Sequence, residues 1–144
     1  PAARGAQIVG DALALRRLFA NVIDNALAYG REARISADVE GDQLIVLIDD
    51  KGPGISLAER EMVFEPFVRL EQSRSRATGG AGLGLAIARN VAETHGGLLT
   101  LQEAPGGGTR AVVTLPLFMA GVRCPGSDTA AQARIEPKRY AERA

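Results

Sequence analysis

The order of helix-like and strand-like segments predicts an α+β fold, a two-layer α/β sandwich in which helices cover one face of a mostly antiparallel sheet. Three observations support this prediction. Strand-like segments follow one another in pairs, whereas a doubly wound fold would alternate them with helices. Two long segments carry apolar residues at three- and four-residue spacing, as amphipathic helices do. The chain has 144 residues, 46% of them hydrophobic, which suffices for one domain with its own core.

The first helical pattern follows a short segment in which Ile8-Val9 would end a strand. Asp11 is the expected N-cap and Gly30 the expected stop. Asn21 and Asn25 are one turn apart, so they project from the same side, beside the apolar stripe. Polar side chains at such positions need partners or a ligand, although two capping or solvated amides are the alternative. The stripe consists of Leu15, Leu18, Phe19, Val22, Ile23, Ala26 and Leu27.

A hairpin is predicted next. Residues 33–40 alternate as a half-buried strand, Gly41-Asp42 form a turn, and residues 43–48 form a more buried strand. The second strand runs directly into Asp49-Asp50 and a glycine-rich turn. An acidic turn is often only a turn. Its place at the end of a buried strand favours a functional site.

Residues 56–59 have a capping-box pattern and predict a short helix through about Val63. Phe64 and Phe67 flank a helix-ending proline and predict a hydrophobic latch. Residues 68–80 are polar, with Arg69, Arg74 and Arg76 among them, and predict a mobile loop.

Glycines at 79, 80, 82 and 84 lead without interruption into a second helical pattern that ends at His95-Gly96-Gly97. Glycines that open a helix let its free N–H groups approach an anion, although a flexible linker has the same composition. The pattern is neither a dinucleotide-binding loop nor a P-loop. The apolar face of this helix comprises Leu83, Leu85, Ile87, Ala88 and Val91, and His95 is expected to interact with the helix dipole.

Residues 98–101 and 109–115 predict two more strands, joined by a turn at residues 106–108 and ended by Pro116. Residues 119–144 lack a clear period and are predicted to be a tail with one short helix around 130–135.

The composition argues against several function classes. A formal net charge of zero and the absence of Trp do not suit a nucleic-acid-binding module. Cys124 is the single cysteine, so no internal disulfide is possible. Neither a signal peptide nor an apolar run of membrane-spanning length is present, which fits a cytoplasmic setting for this chain.

Four motifs together resemble a known family. Asn21-Val-Ile-Asp-Asn25, Asp50-Lys-Gly-Pro-Gly54, Phe64-Glu-Pro-Phe67 and Gly80-Ala-Gly-Leu-Gly84 are similar, in order and spacing, to the N, G1, F and G2 boxes of the ATP-binding domain of sensor histidine kinases. That domain has the Bergerat fold shared with gyrase, Hsp90 and MutL. The resemblance covers roughly residues 8–117 and implies an N-terminally truncated ATP-binding domain at 1–118 and a tail at 119–144.

The resemblance implies a protein histidine kinase with ATP and Mg²⁺ as cofactors. Asn25 would coordinate the metal, Asn21 would contact phosphate or a metal-bound water, and Asp50 would accept a hydrogen bond from the adenine amino group. Arg69 would approach the phosphates from a lid at about residues 69–81. The other implied nucleotide-binding residues are Tyr29, Gly52, Gly54, Ile55, Gly80, Gly82, Leu83, Gly84, Leu85 and Thr109.

The same resemblance implies the partners. The phosphoacceptor histidine would lie on a helical dimerisation domain of a parent kinase anchored in the inner membrane, with a response regulator as an indirect partner. Ala28 departs from the family, which commonly has Lys or Arg there; this implies either weaker nucleotide binding or substitution by a lid arginine such as Arg74 or Arg76. Two alternatives stay open: a nucleotide-responsive interaction module without phosphotransfer, and a serine kinase of the anti-sigma-factor type.

Overall fold

The computed structural model of the chain describes residues 3–69 and 82–118. Its four strands form one antiparallel sheet in the order β1-β2-β4-β3. The predicted α+β fold with a mostly antiparallel sheet is therefore confirmed. The elements in these ranges are α1 (Ala12–Gly30), β1 (Ala33–Glu40), β2 (Gln43–Asp50), α2 (Glu59–Met62), α3 (Gly84–Thr94), β3 (Leu98–Glu103) and β4 (Thr109–Pro116).

The core lies between the sheet and the two long helices. Val46, Val113 and Leu99 are in register across β2, β4 and β3, and all three are buried. Since side chains alternate between the faces of a strand, these residues mark the face that α1 and α3 cover. Helix α1 packs on β2 and on α3, and α3 packs on β3. This face also carries Asp50, which has the same parity as Val46 along β2.

Both ends of α1 can be explained from local sequence. The side chain of Asp11 accepts hydrogen bonds from the backbone N–H groups of Leu13 (2.8 Å) and Ala14 (3.1 Å), which confirms it as the N-cap. Gly30 is the last helical residue, as expected, but the left-handed residue after the helix is Arg31. Its N–H donates to the carbonyl of Leu27. Gly30 itself is buried, and the reason for a glycine there is found at the functional site.

The strands differ from the prediction at their ends. No strand forms at Ile8–Val9, so that expectation is wrong; the nearby carbonyl of Gln7 instead accepts a hydrogen bond from Phe118 N–H (2.6 Å). Strand β2 continues through Asp49 and Asp50, two residues beyond the predicted strand, so both carboxylates lie at the strand end, as expected, and the turn follows them. Both carboxylates therefore have the fixed, alternating directions of strand residues.

The capping box and the hydrophobic latch predicted around α2 are each confirmed in part. The carboxylate of Glu59 accepts from Ser56 Oγ (2.6 Å) and from Ser56 N–H (3.3 Å), but the hydroxyl does not cap the helix backbone. The helix is a single turn. Of the two latch aromatics, Phe64 is 6% exposed and Phe67 is 73% exposed, so only the first is packed in the core.

His95 connects the two long helices. Its Nδ1 lies 2.7 Å from the carbonyl oxygen of Val91, and its Nε2 accepts a hydrogen bond from Asp11 N–H at 3.1 Å. Since a carbonyl only accepts, Nδ1 is the donor and Nε2 the acceptor in these two contacts. The first contact is made to a carbonyl at the end of α3, and the second adds a bridge to the start of α1 that was not expected.

Two expectations fall outside the described residues: the mobile loop beyond Arg69, and the tail at 119–144 with its helix. Within 3–69 and 82–118, no helix has the length and hydropathy needed to cross a membrane.

Candidate nucleotide site

Asp50 is the best-defined polar group of the site. It is 6% exposed, at the end of β2 on the helix-covered face. Its Oδ1 accepts hydrogen bonds from the backbone N–H groups of Gly52 (2.8 Å) and Thr109 (2.9 Å). In the described part of the chain, no donor reaches Oδ2. The carboxylate is held in one orientation by one oxygen, and the other oxygen can accept from a ligand.

Three glycines let the backbone close around Asp50. A Cβ on Gly30 would lie 2.5 Å from the Asp50 Cβ, and one on Gly108 would lie 2.1 Å from the Asp50 carbonyl oxygen. On Gly52 it would lie 2.8 Å from the carbonyl oxygen of Tyr29. Real Cβ atoms essentially never come so close to other atoms. The end of α1, the turn after β2 and the start of β4 therefore meet at this carboxylate only because all three positions are glycine.

The sequence prediction included Gly52 but missed Gly30 and Gly108 as site residues. Both were explained by local structure, Gly30 as a helix stop and Gly108 as part of a turn. Their spacing in the sequence carries no signal that they meet Asp50, since the approach is set by the register between β2 and β4.

A small cleft that is partly open to solvent lies beside Asp50. Four of the predicted site residues line it together: Asn25, Asp50, Leu85 and Thr109. The remaining lining is apolar and was predicted only as core: Val22, Ala26, Ile48, Leu101 and Ala111. An apolar cleft with a few fixed polar groups is the usual form of a small-molecule site.

Asn21 lies one turn before Asn25 on α1, against the start of α3. A Cβ on Gly84 would be 3.7 Å from its Cγ and Oδ1. The Nδ2 of Asn21 is buried and has no hydrogen-bond partner among the described residues. An unsatisfied buried donor costs about 1–3 kcal/mol, so native proteins rarely keep one without a reason. Asn21 therefore points to a polar ligand at the junction of α1 and α3.

The start of α3 offers further donors. No side chain caps this 11-residue helix, whose N-cap position is Leu83. The first N–H groups of a helix have no partner within it, and they suit an anion. The Asn21 amide and these N–H groups face the same junction, so a phosphate group could be bound there.

The F and G2 motifs are in direct contact. The N–H of Phe67 donates to the carbonyl of Gly82 (3.0 Å). The guanidinium of Arg89 on α3 lies 4.4 Å from the ring centre of Phe64, and its Nη1 is 2.8 Å from a carboxylate oxygen of Glu61. The hydrogen bond to Glu61 is the main cause of the raised pKa of Arg89. These contacts fasten α2 and the following turn to α3.

The other predicted residues have varied positions. Ile55 packs against the core, and Gly54 lies beside Gly108, whose carbonyl oxygen would be 3.5 Å from a Cβ at position 54. Tyr29 is half-buried, and so is Arg69, which has interactions of its own. Gly80 lies outside the described residues, and Ala28 is exposed on α1.

The side chains at the site can be compared with the ligands that Mg²⁺ prefers. Among the described residues, no group of three His, Cys, Asp or Glu side chains could hold a metal ion. The amide oxygen of Asn25 is a hard ligand of the kind Mg²⁺ accepts. A single amide beside a buried orphan donor fits a metal that is held mainly by phosphate oxygens and water, and it does not fit an all-protein cage.

Comparisons with known proteins identify the family of this chain. Residues 10–119 match the family model described as histidine kinase-, DNA gyrase B- and HSP90-like ATPase. The sensor histidine kinase CpxA of Escherichia coli strain K12 is 38% identical over 112 residues, 77% of this chain and 24% of CpxA. The chain thus spans about a quarter of the length of the curated relatives it matches first.

Solved structures of sensor kinases have a similar fold. The mycobacterial sensor histidine kinase MprB superposes with a TM-score of 0.71 at 35% identity and covers 78% of each chain. Full-length ShkA, solved in complex with AMPPNP, has a TM-score of 0.60 at 28% identity, over 72% of this chain and 21% of ShkA.

Proposed function

Since the chain belongs to the family of histidine kinase-, DNA gyrase B- and HSP90-like ATPases, we propose that it binds Mg-ATP and presents the γ-phosphate to a histidine on a separate domain of a sensor histidine kinase. The observation that supports this proposal most strongly is the hydrogen bonding of the Asp50 carboxylate. Its Oδ1 is occupied by two backbone N–H groups at a cleft, and its Oδ2 is left for a ligand donor.

The base end of the nucleotide would lie at Asp50. The adenine amino group would donate to Oδ2, and a hydrogen bond to a carboxylate is stronger than one between neutral groups. Gly52 and Gly54 keep the nearby chain thin, and the backbone of Thr109 holds Oδ1. Apolar cleft residues such as Ile48 and Leu85 would cover the faces of the base. Ile55 and Tyr29 are assigned to the same end.

The phosphate end would lie at the junction of α1 and α3. Asn25 would supply an amide oxygen to Mg²⁺, and Asn21 would donate its orphaned Nδ2–H to a phosphate oxygen or a metal-bound water. When bound, Mg²⁺ would neutralise part of the phosphate charge. Backbone N–H groups at Gly82, Leu83, Gly84 and Leu85 would face the phosphates. Gly80 and Arg69 are assigned to this end from the motif alone.

Transfer of a γ-phosphate is mostly positioning and charge stabilisation, so this domain needs no side-chain nucleophile. The acceptor would be a histidine outside this chain. His95 is the single histidine of the sequence, and both of its ring nitrogens are occupied, Nδ1 by Val91 on α3 and Nε2 by Asp11 at the start of α1. That arrangement supports a structural role for His95.

The proposal is tested by titrating the chain with a non-hydrolysable ATP analogue, with and without Mg²⁺, by calorimetry. We expect Asp50→Ala to lose the preference for ATP over GTP, and Asn25→Ala to lose chiefly the Mg²⁺ dependence. Asp38→Ala is the matched control, because Asp38 is exposed on β1 and bonds only to the N–H of Val39. Binding that does not depend on the metal in the wild-type chain would refute the proposal.

A second candidate is a nucleotide-responsive interaction module that no longer transfers phosphate. The observation that favours it is Ala28, an exposed alanine on α1 where the family commonly has a cation. Incubation with labelled ATP and a separately expressed acceptor domain distinguishes the two. Label on the acceptor histidine supports the kinase, and tight binding without label supports the module.

A further inference from the structure

An ion pair lies on the face of the sheet opposite the helices. Arg110 on β4 donates from Nε to Asp49 Oδ1 (2.6 Å) and from Nη2 to Asp49 Oδ2 (2.7 Å), a two-pronged contact between a guanidinium and a carboxylate. The side chains are 23% and 20% exposed, respectively. This geometry fixes both groups far better than a single surface contact would.

The pair is placed at the end of the ladder between β2 and β4. Asp49 and Arg110 are the last residues of that ladder in register. One residue further on, the strands are joined by the hydrogen bond from Thr109 N–H to Asp50 Oδ1. Because side chains alternate between faces, the ion pair and this hydrogen bond lie back to back on adjacent positions.

We propose that Asp49 and Arg110 are positioning residues of the nucleotide site, which hold the ends of β2 and β4 together and thereby fix the direction of the Asp50 carboxylate. This inference rests on the proposed function, since it concerns recognition of the adenine base. Neither side chain reaches the cleft, so both act through Asp50.

The rest of the ladder between β2 and β4 explains why loss of the ion pair should affect only the end of the ladder. Residues 43–48 of β2 stay paired with residues 111–116 of β4, and the buried side chains of both strands remain packed against the helices. Loss of the ion pair would therefore loosen only the last position, where Asp50 meets Thr109. The hydrogen bond to Asp49 raises the pKa of Arg110, so the guanidinium stays charged at any usable pH.

Two variants remove the pair and one provides a control. Arg110→Met removes the charge and the donors but keeps a long apolar stem over the sheet. Asp49→Asn removes the charge of the partner with little change in shape. The control is Arg34→Met: Arg34 is directly opposite Asp49 on β1, in the same cross-strand row, yet it has no hydrogen bond to Asp49 among the described residues.

The first measurement is amide hydrogen exchange in the ligand-free chain. We expect the N–H groups of Thr109 and Gly52 to exchange roughly tenfold faster in Arg110→Met, which corresponds to a tenfold larger open population. The amide of Ile48, one residue further into the same ladder, should keep the wild-type rate. Unchanged exchange at Thr109, or equal acceleration at Ile48, would overturn the inference.

The second measurement is the affinity for ATP and for inosine triphosphate, whose base carries an oxygen in place of the amino group. We expect the preference for ATP to fall about tenfold in Arg110→Met and in Asp49→Asn, and the double variant to lose no more than either. Arg34→Met should keep the preference. A lower melting temperature with an unchanged preference would show a merely structural role and overturn the inference.

The two proposals fail differently. A wild-type chain that binds no ATP overturns the proposed function. The exchange of the Thr109 amide then decides alone whether the ion pair positions Asp50, because that measurement needs no ligand.

Discussion

Replacing Gly108 with alanine should damage the site at its most crowded point. Gly108 has φ +90°, and its Cβ would lie 2.1 Å from the carbonyl oxygen of Asp50 and 2.9 Å from Asp50 Oδ1. Those atoms belong to the end of β2 and have no free direction in which to move. The chain must part where Thr109 N–H meets Asp50. Gly107 is the matched control, because it has φ +95° and nothing within 4 Å of its Cβ position.

The loss of unfolding free energy in each variant can be estimated from three contributions. A left-handed backbone costs an alanine about 1–2 kcal/mol. The lower entropy of the unfolded chain returns about 0.4–1 kcal/mol. Gly107→Ala should therefore cost about 0–1.6 kcal/mol. Gly108→Ala also loses the buried hydrogen bond to Asp50, a further ~1–3 kcal/mol, so we expect a total of about 1–4.6 kcal/mol.

The assay is urea unfolding of both variants, followed by ATP titration of the folded fraction. The urea midpoint should fall clearly more for Gly108→Ala than for Gly107→Ala, with similar m-values. Only Gly108→Ala should lose nucleotide affinity. Equal shifts of the two midpoints would refute the reasoning, because they would show that backbone conformation is the whole effect and that the contact with Asp50 contributes nothing.

Three further substitutions test other parts of the structure. Asn21→Leu removes the orphaned buried amide, so the ligand-free chain should keep or gain up to about 1–3 kcal/mol in unfolding free energy while Mg-ATP affinity is lost; a clear loss of stability in urea would contradict this. His95→Phe removes the bridge from Val91 to Asp11 and should cost about 1–2 kcal/mol in the same assay, whereas an unchanged midpoint would show that the bridge is dispensable. Leu99→Ala empties a position that is 0% exposed and should cost about 2–5 kcal/mol by thermal or urea unfolding; a cost below 1 kcal/mol would mean that the core closes over the cavity.

The elements with an unbroken apolar period could be predicted from the sequence. In β4, alternate residues from Thr109 to Leu115 are buried, and the same alternation predicts the strand. In α1, the apolar stripe and Asp11 predict both the helix and its start. These features depend on local pattern alone, and burial of one face then dictates how the layers stack.

Features that depend on contacts between segments far apart in the sequence could not be predicted. Arg31 adopts the left-handed conformation at the end of α1, while Gly30 before it is needed for contact with Asp50. In the sequence, a glycine that ends a helix cannot be told from a glycine that allows close contact with another segment. The bridge from His95 to Asp11 was missed for the same reason, since the two residues are 84 positions apart in sequence.

Helix α1 also sets the length of the proposed site. Its last residue, Gly30, contacts Asp50, and Asn21 contacts Gly84 at the start of α3. The nine steps along the helix from Asn21 to Gly30 span about 13.5 Å at 1.5 Å per residue. Asn25 lies between them and lines the cleft. One rigid helix thus connects a carboxylate suited to a base, at one end of the proposed site, with an amide suited to a metal and a helix start suited to phosphate towards the other end. A ligand without phosphates would leave the Asn21 amide unsatisfied, so adenosine should bind this chain far more weakly than ATP.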